Sequence, residues 1–120
     1  RVYESRISGN KMHDNGRFGI CTGHKDTDVL FLNNHVFSNG SDGINLRGER
    51  EANAPHRNTF DGNIIENNKG FGFSVNSPAK DLILKNNQYS PTHREFHGIF
   101  SGNIKSGKNR YKKIHLMYQL

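Results

Sequence analysis

Two stretches of the 120-residue sequence gather side chains able to hold an anion or move a proton. One is Gly23-His24-Lys25-Asp26-Thr27-Asp28. The other runs from Arg47 to Arg57 and reads Arg-Gly-Glu-Arg-Glu-Ala-Asn-Ala-Pro-His-Arg. Together they contribute His24, Lys25, Asp26, Asp28, Arg47, Glu49, Arg50, Glu51, His56 and Arg57. Such a set suits the removal of a proton next to a carboxylate, which needs a cation to neutralise the carboxylate and a base to take the proton. Arg47, Arg50 and Arg57 are the candidate substrate-binding cations. His56, Lys25 and His24 are the candidate bases, and histidine has the better-matched pKa. The plainer reading is a solvated, ion-paired loop face. In a repeat register, Asp28, Arg57 and Asp81 fall in one column, and alternating charges there predict an ion-pair ladder.

The remaining reactive residues make weaker constellations. Ser74 has no adjacent His and Asp, and Cys21 on a strand reads as a small structural residue. His13 and His35 are expected to be solvated near turn corners. His93 and His97, with Arg94 and Glu95 between them, are poorly spaced for a metal, so no metal site and no cofactor is expected. Asp14, Asp42 and Asp61 are spread through the chain rather than clustered.

These residues must be positioned by a scaffold, and composition limits what it is. Only 32% of the chain is hydrophobic, too little for a helical bundle, yet Ile, Val and Phe recur too regularly for a disordered chain. Formal net charge is +6, which favours an acidic partner. Part of it comes from the tail residues Lys105, Lys108, Arg110, Lys112 and Lys113. Nucleic acid is not the expected partner, because no basic stripe is interleaved with aromatic residues. The single cysteine permits no internal disulfide, and no apolar run is long enough for a membrane helix.

The organisation is a repeat. Ile7-Ser-Gly-Asn10, Phe31-Leu-Asn-Asn34, Phe60-Asp-Gly-Asn63 and Leu84-Lys-Asn-Asn87 align, with their asparagines at steps of 24, 29 and 24. Each is followed by a Gly-apolar pair: Gly19-Ile20, Gly43-Ile44, Gly72-Phe73 and Gly98-Ile99. Between them lie Asn15-Gly16, Asn39-Gly40 and Asn68. Inside each repeat the apolar residues alternate with polar ones, the period of a strand. Three short strands per repeat fit one triangular coil, and coils stack at roughly 4.8 Å. The inward columns are then Phe31, Phe60 and Leu84; Met12, Val36, Ile65 and Tyr89; and Ile20, Ile44, Phe73 and Ile99. The outward column on the third strand is Cys21, Asn45, Ser74 and Phe100. Asn10, Asn34, Asn63 and Asn87 form an amide ladder, whose loss at Asn34 or Asn63 is expected to cost about 1–2 kcal/mol. The 29-residue step arises because Arg47 to Arg57 is longer than the matching loops Gly23 to Asp28 and Asn76 to Asp81. Extra residues at one corner of a solenoid commonly build a binding face.

From about Ile7 to Ile104 this pattern resembles the right-handed β-helix repeat of pectin-lyase-like proteins. The resemblance implies an all-β, right-handed parallel β-helix solenoid of about four to five coils. It also implies a carbohydrate-associated protein, secreted or at the cell surface, with an acidic polysaccharide as ligand and no membrane partner. Lyase or C5-epimerase action on uronates is one expectation; a non-enzymatic structural or adhesive β-helix of the surface-protein or tailspike kind is the alternative. The acidic calcium cluster of pectate lyases and the paired aspartates of polygalacturonases are not found. Residues 1–120 read as one β-helix segment of a longer chain, or of an oligomer that covers its ends, since solenoids need caps and neither end reads as one.

Overall fold

The computed structural model describes residues 2–23, 25–47, 50–77, 79–89, 96–99 and 104–106. Among them the regular structure is almost entirely short parallel strands. The strands are β1 (Arg6–Ser8), β2 (Lys11–His13), β3 (Ile20–Thr22), β4 (Leu30–Leu32), β5 (His35–Phe37), β6 (Ile44–Arg47), β7 (Thr59–Asp61), β8 (Ile64–Glu66), β9 (Phe73–Asn76), β10 (Leu82–Lys85), β11 (Gln88–Tyr89), β12 (Phe96–Ile99) and β13 (Ile104–Ser106). A single 3-10 turn, Glu51–Asn53, sits in the long loop after β6. No helix is long and apolar enough to cross a membrane among the described residues.

Every third strand lands beside its predecessor, giving three parallel sheets with orders β1-β4-β7-β10-β13, β2-β5-β8-β11 and β3-β6-β9-β12. This is a right-handed β-helix. The period-two pattern explains the burial. Phe31, Phe60 and Leu84 are register partners, as are Met12, Val36, Ile65 and Tyr89. Phe60 is fully buried, stacked on Phe31 with centroids 4.5 Å apart, and meets Phe73 edge-on at 4.8 Å. Phe73 belongs to the third sheet, so that contact ties two walls of the core together.

The third sheet corrects one expectation. Ile20, Ile44 and Phe73 are in register, but Phe96 follows them and Ile99 pairs with Asn76. The Gly98-Ile99 pair therefore does not take the place of Gly72-Phe73. Four consecutive parallel pairs, from Phe96↔Phe73 to Ile99↔Asn76, set the register. By the same shift Ser74 pairs in register with His97, not Phe100. Phe100 lies outside the described residues.

Two asparagine ladders close the corners of the second sheet. In the first, Nδ2 of Asn10, Asn34 and Asn63 donates to Oδ1 of Asn34, Asn63 and Asn87, at 3.2, 3.1 and 3.0 Å. The same Oδ1 atoms also accept the backbone N–H of the preceding asparagine. In the second, Asn15 and Asn39 donate to Asn39 and Asn68 at 2.9 and 2.8 Å. An amide is suited to this role because it donates and accepts at once, so each rung satisfies the next. Close packing against the second ladder explains the Gly-apolar pairs. A Cβ on Gly43 would lie 2.7 Å from Asn68 Nδ2 and 2.7 Å from the Gly72 carbonyl oxygen.

The chain turns through left-handed backbone at recurring positions, and mostly without glycine. Glu4, Asp28, Arg57 and Asp81 have φ of 48, 56, 55 and 56° just before strands of the first sheet. Asp14, Ser38 and Asn67 have φ of 56, 54 and 54° just after strands of the second. Asp and Asn tolerate this region better than other residues with a Cβ; arginine does not share that advantage.

Candidate functional site

The candidate residues occupy the corner where the third sheet passes to the first. Gly23 to Asp28 follows β3, and the long loop follows β6. The short loop is held internally: Gly23 N–H donates to Asp26 Oδ2 at 3.0 Å, and Asp26 N–H returns to the Gly23 carbonyl at 3.0 Å. The other Asp26 oxygen accepts Val2 N–H at 2.7 Å. Asp26 is thus a turn clamp. Two backbone bonds join the loops, Lys25 N–H to the Asn53 carbonyl at 2.9 Å and Asp28 N–H to the His56 carbonyl at 3.2 Å. Buried Ala54 and Pro55 root the long loop in the molecule.

Arg47 is the last residue of β6, where pairing with Asn76 holds its backbone. Its side chain is exposed. Gly23 packs so closely on it that a Cβ there would clash with the Arg47 carbonyl oxygen and stand 2.9 Å from Cγ. Arg50 is exposed, and its carbonyl accepts Asn53 N–H at 2.9 Å, closing the 3-10 turn. Lys25 is exposed too, with φ of 70°. None of the ion pairs among the described residues involves Lys25, Arg47 or Arg50. His24 and Glu49 lie outside the described residues.

His56 and Arg57 have partners that the linear sequence conceals. Half-buried His56 accepts the Lys80 N–H at Nδ1, 2.9 Å away. An imidazole accepting at Nδ1 carries its proton on Nε2 when neutral. In this geometry the one lone pair of the neutral ring is occupied by backbone. Arg57 makes a two-pronged bond to Asp28, Nε to Oδ1 at 2.9 Å and Nη2 to Oδ2 at 3.0 Å. Hydrogen bonding to Arg57 holds the Asp28 carboxyl below the usual carboxylate range. The Arg57 guanidinium is raised above its ordinary value, chiefly by the same hydrogen bond, with Asp81 adding a smaller attraction. The expected column of Asp28, Arg57 and Asp81 therefore includes a formed inter-coil pair, which also offsets the strain of an arginine in left-handed backbone.

The second sheet carries a constellation that residue spacing did not reveal. His35 Nε2 lies 2.9 Å from Glu66 Oε2, His13 stacks on Phe37 at 4.7 Å, and His35 tilts onto Phe37 at 4.2 Å. His13 Nδ1 is also 2.6 Å from Asp14 Oδ2. These histidines are braced on a sheet face rather than simply solvated. The readable signal was that His13, Phe37 and Glu66 share an outward register. On the third sheet Cys21 is an exposed free thiol and Ser74 is buried. His93, Arg94 and Glu95 lie outside the described residues. Among the described residues no group of three or more His, Cys, Asp or Glu converges to hold a metal ion.

The corner thus presents Lys25, Arg47 and Arg50 as exposed cations on two joined loops, beside a histidine whose Nδ1 accepts a backbone N–H. No curated protein and no solved structure gives a significant match to this chain. The family match is to the right-handed β-helix region, over residues 2–110. With its parallel strands in three stacked sheets, the chain belongs to the right-handed β-helix family, a placement that fits a carbohydrate-associated β-helix protein.

Proposed function

We propose that the corner formed by the Gly23–Asp28 and Arg47–Arg57 loops binds acidic polysaccharide, as expected of a protein secreted or held at the cell surface. The observation that carries this reading is the backbone bond from Lys25 N–H to the Asn53 carbonyl. It joins the loops that bear the exposed cations Lys25, Arg47 and Arg50. A carboxylate laid there meets charged donors on a braced surface. Arg57, engaged with Asp28, supports the loop and is not a primary ligand group.

Binding without bond cleavage is the form of this reading that the geometry favours, in line with the adhesive alternative. Lyase or epimerase action needs a base at C5 of a uronate, and the neutral His56 has its lone pair occupied. Lys25 is then the candidate base among the described residues. The test is titration of the protein with alginate, polygalacturonate and glycosaminoglycans, and with a neutral glucan as control. Acidic glycans should bind, binding should weaken with salt, and Arg47→Ala with Arg50→Ala should abolish it. Binding unchanged in that double variant would place the ligand elsewhere. Ultraviolet absorbance of an unsaturated product, or solvent deuterium at C5, would establish chemistry; loss of either in Lys25→Ala but not His56→Ala would identify the base.

A further inference from the structure

The sequence contains two Asn-Gly pairs, Asn15-Gly16 and Asn39-Gly40, and they occupy equivalent rungs of the second ladder. Asn-Gly is the dipeptide at which the next backbone nitrogen most readily attacks the side-chain amide, because glycine leaves the approach unhindered. The structure treats the two pairs in opposite ways. Asn39 is fully buried. Its Nδ2 donates to the Met12 carbonyl at 3.2 Å and to Asn68 Oδ1 at 2.8 Å. Its Oδ1 accepts from the backbone and side-chain nitrogens of Asn15. The Gly40 N–H, which would supply the attacking nitrogen, donates to the Asn15 carbonyl at 2.8 Å. Asn15 is exposed, and among the described residues its Nδ2 makes one bond, to Asn39 Oδ1 at 2.9 Å. Among the described residues nothing accepts from the Gly16 N–H, and a Cβ on Gly16 would meet nothing within 4 Å.

We propose that Asn15 is a site of spontaneous deamidation with water as co-reactant, and that the ladder protects Asn39. The Gly16 nitrogen bonds to Asn15 Cγ, the Cγ–Nδ2 bond breaks, and Nδ2 leaves as ammonia with the proton given up by the Gly16 nitrogen. Water then opens the succinimide at either carbonyl, producing aspartate or isoaspartate; nothing is oxidised or reduced. In the aspartate product a carboxylate oxygen replaces the donor that now faces Asn39 Oδ1. Acceptor against acceptor is repulsive, so the modification loosens β2 from β5.

The 120-residue chain is incubated at neutral pH in its folded state and, separately, in urea, and digests are followed by mass spectrometry. In the folded chain Asn15 should convert faster than Asn39 by on the order of a hundredfold, because three hydrogen bonds at Asn39 and Gly40 must open first. In urea the two rates should converge. Gly16→Ala should suppress conversion at Asn15 and leave the melting temperature unchanged. Asn15→Asp should accelerate amide hydrogen exchange in β2 while leaving β8 as it was. Equal rates at both sites in the folded chain would overturn the proposal. So would an inert Asn15 in a folded chain that deamidates normally in urea.

Discussion

Replacing Asn63 by alanine tests the ladder most directly. The side chain is fully buried and makes four hydrogen bonds. Nδ2 donates to the Phe31 carbonyl and to Asn87 Oδ1, each at 3.0 Å. Oδ1 accepts Asn34 N–H at 2.9 Å and Asn34 Nδ2 at 3.1 Å. Alanine removes all four and leaves the buried Asn34 N–H without its acceptor. One orphaned buried donor costs about 1–3 kcal/mol and each of the three other lost bonds about 1 kcal/mol net, so the variant should lose about 4–6 kcal/mol. This exceeds the 1–2 kcal/mol expected from residue spacing, which assumes fewer bonds per amide. Urea unfolding should show it as a midpoint lower by about 2–3 M, for a slope of about 2 kcal/mol/M. Asn10→Ala is the internal comparison, because Asn10 is exposed and water can replace its bonds; its cost should stay below about 1 kcal/mol. Asn63→Asp conserves volume but removes both donors, so it should not restore stability at neutral pH. Equal midpoints for Asn63→Ala and Asn10→Ala, or full recovery in Asn63→Asp, would refute the reasoning.

Three further outcomes are expected. The depressed Asp28 pKa contributes stability that is present above the unfolded value of about 3.9 and lost as pH falls through the folded value. The Asp28→Asn variant should lack this one increment, seen as a smaller fall in stability when the pH is lowered from above the usual carboxylate range to below it. Gly43→Ala should cost more than about 2 kcal/mol in thermal melts, since its Cβ would press on the Gly72 carbonyl, whereas Gly16→Ala should stay within about 0.5 kcal/mol. Phe60→Ala should cost about 3–5 kcal/mol by urea unfolding, because it opens a cavity between Phe31 and Phe73.

The coil was legible from residue order because it is a local repeat. Spacing among Asn10, Asn34, Asn63 and Asn87 is the perimeter of the coil, and alternation at Val29, Phe31 and Val36 marks which residues face inward. The inner columns through Phe60 and Ile65 followed from those two facts alone, as did the position of the inserted loop. The repeat failed where its spacing changed: a recurring Gly-apolar pair suggested Ile99 beside Phe73, and backbone pairing placed Phe96 there. The candidate site was legible only as a set of nearby charges. Which of them are committed depends on contacts between coils, 24 and 29 residues apart, such as the Lys80 N–H on His56 and the Asp28 carboxylate on Arg57. Sequence determines that these residues share a corner, because strand period and loop length are local properties. Tertiary structure decides which lone pairs and charges at that corner are already occupied, because hydrogen bonds are directional and their partners arrive from the next coil.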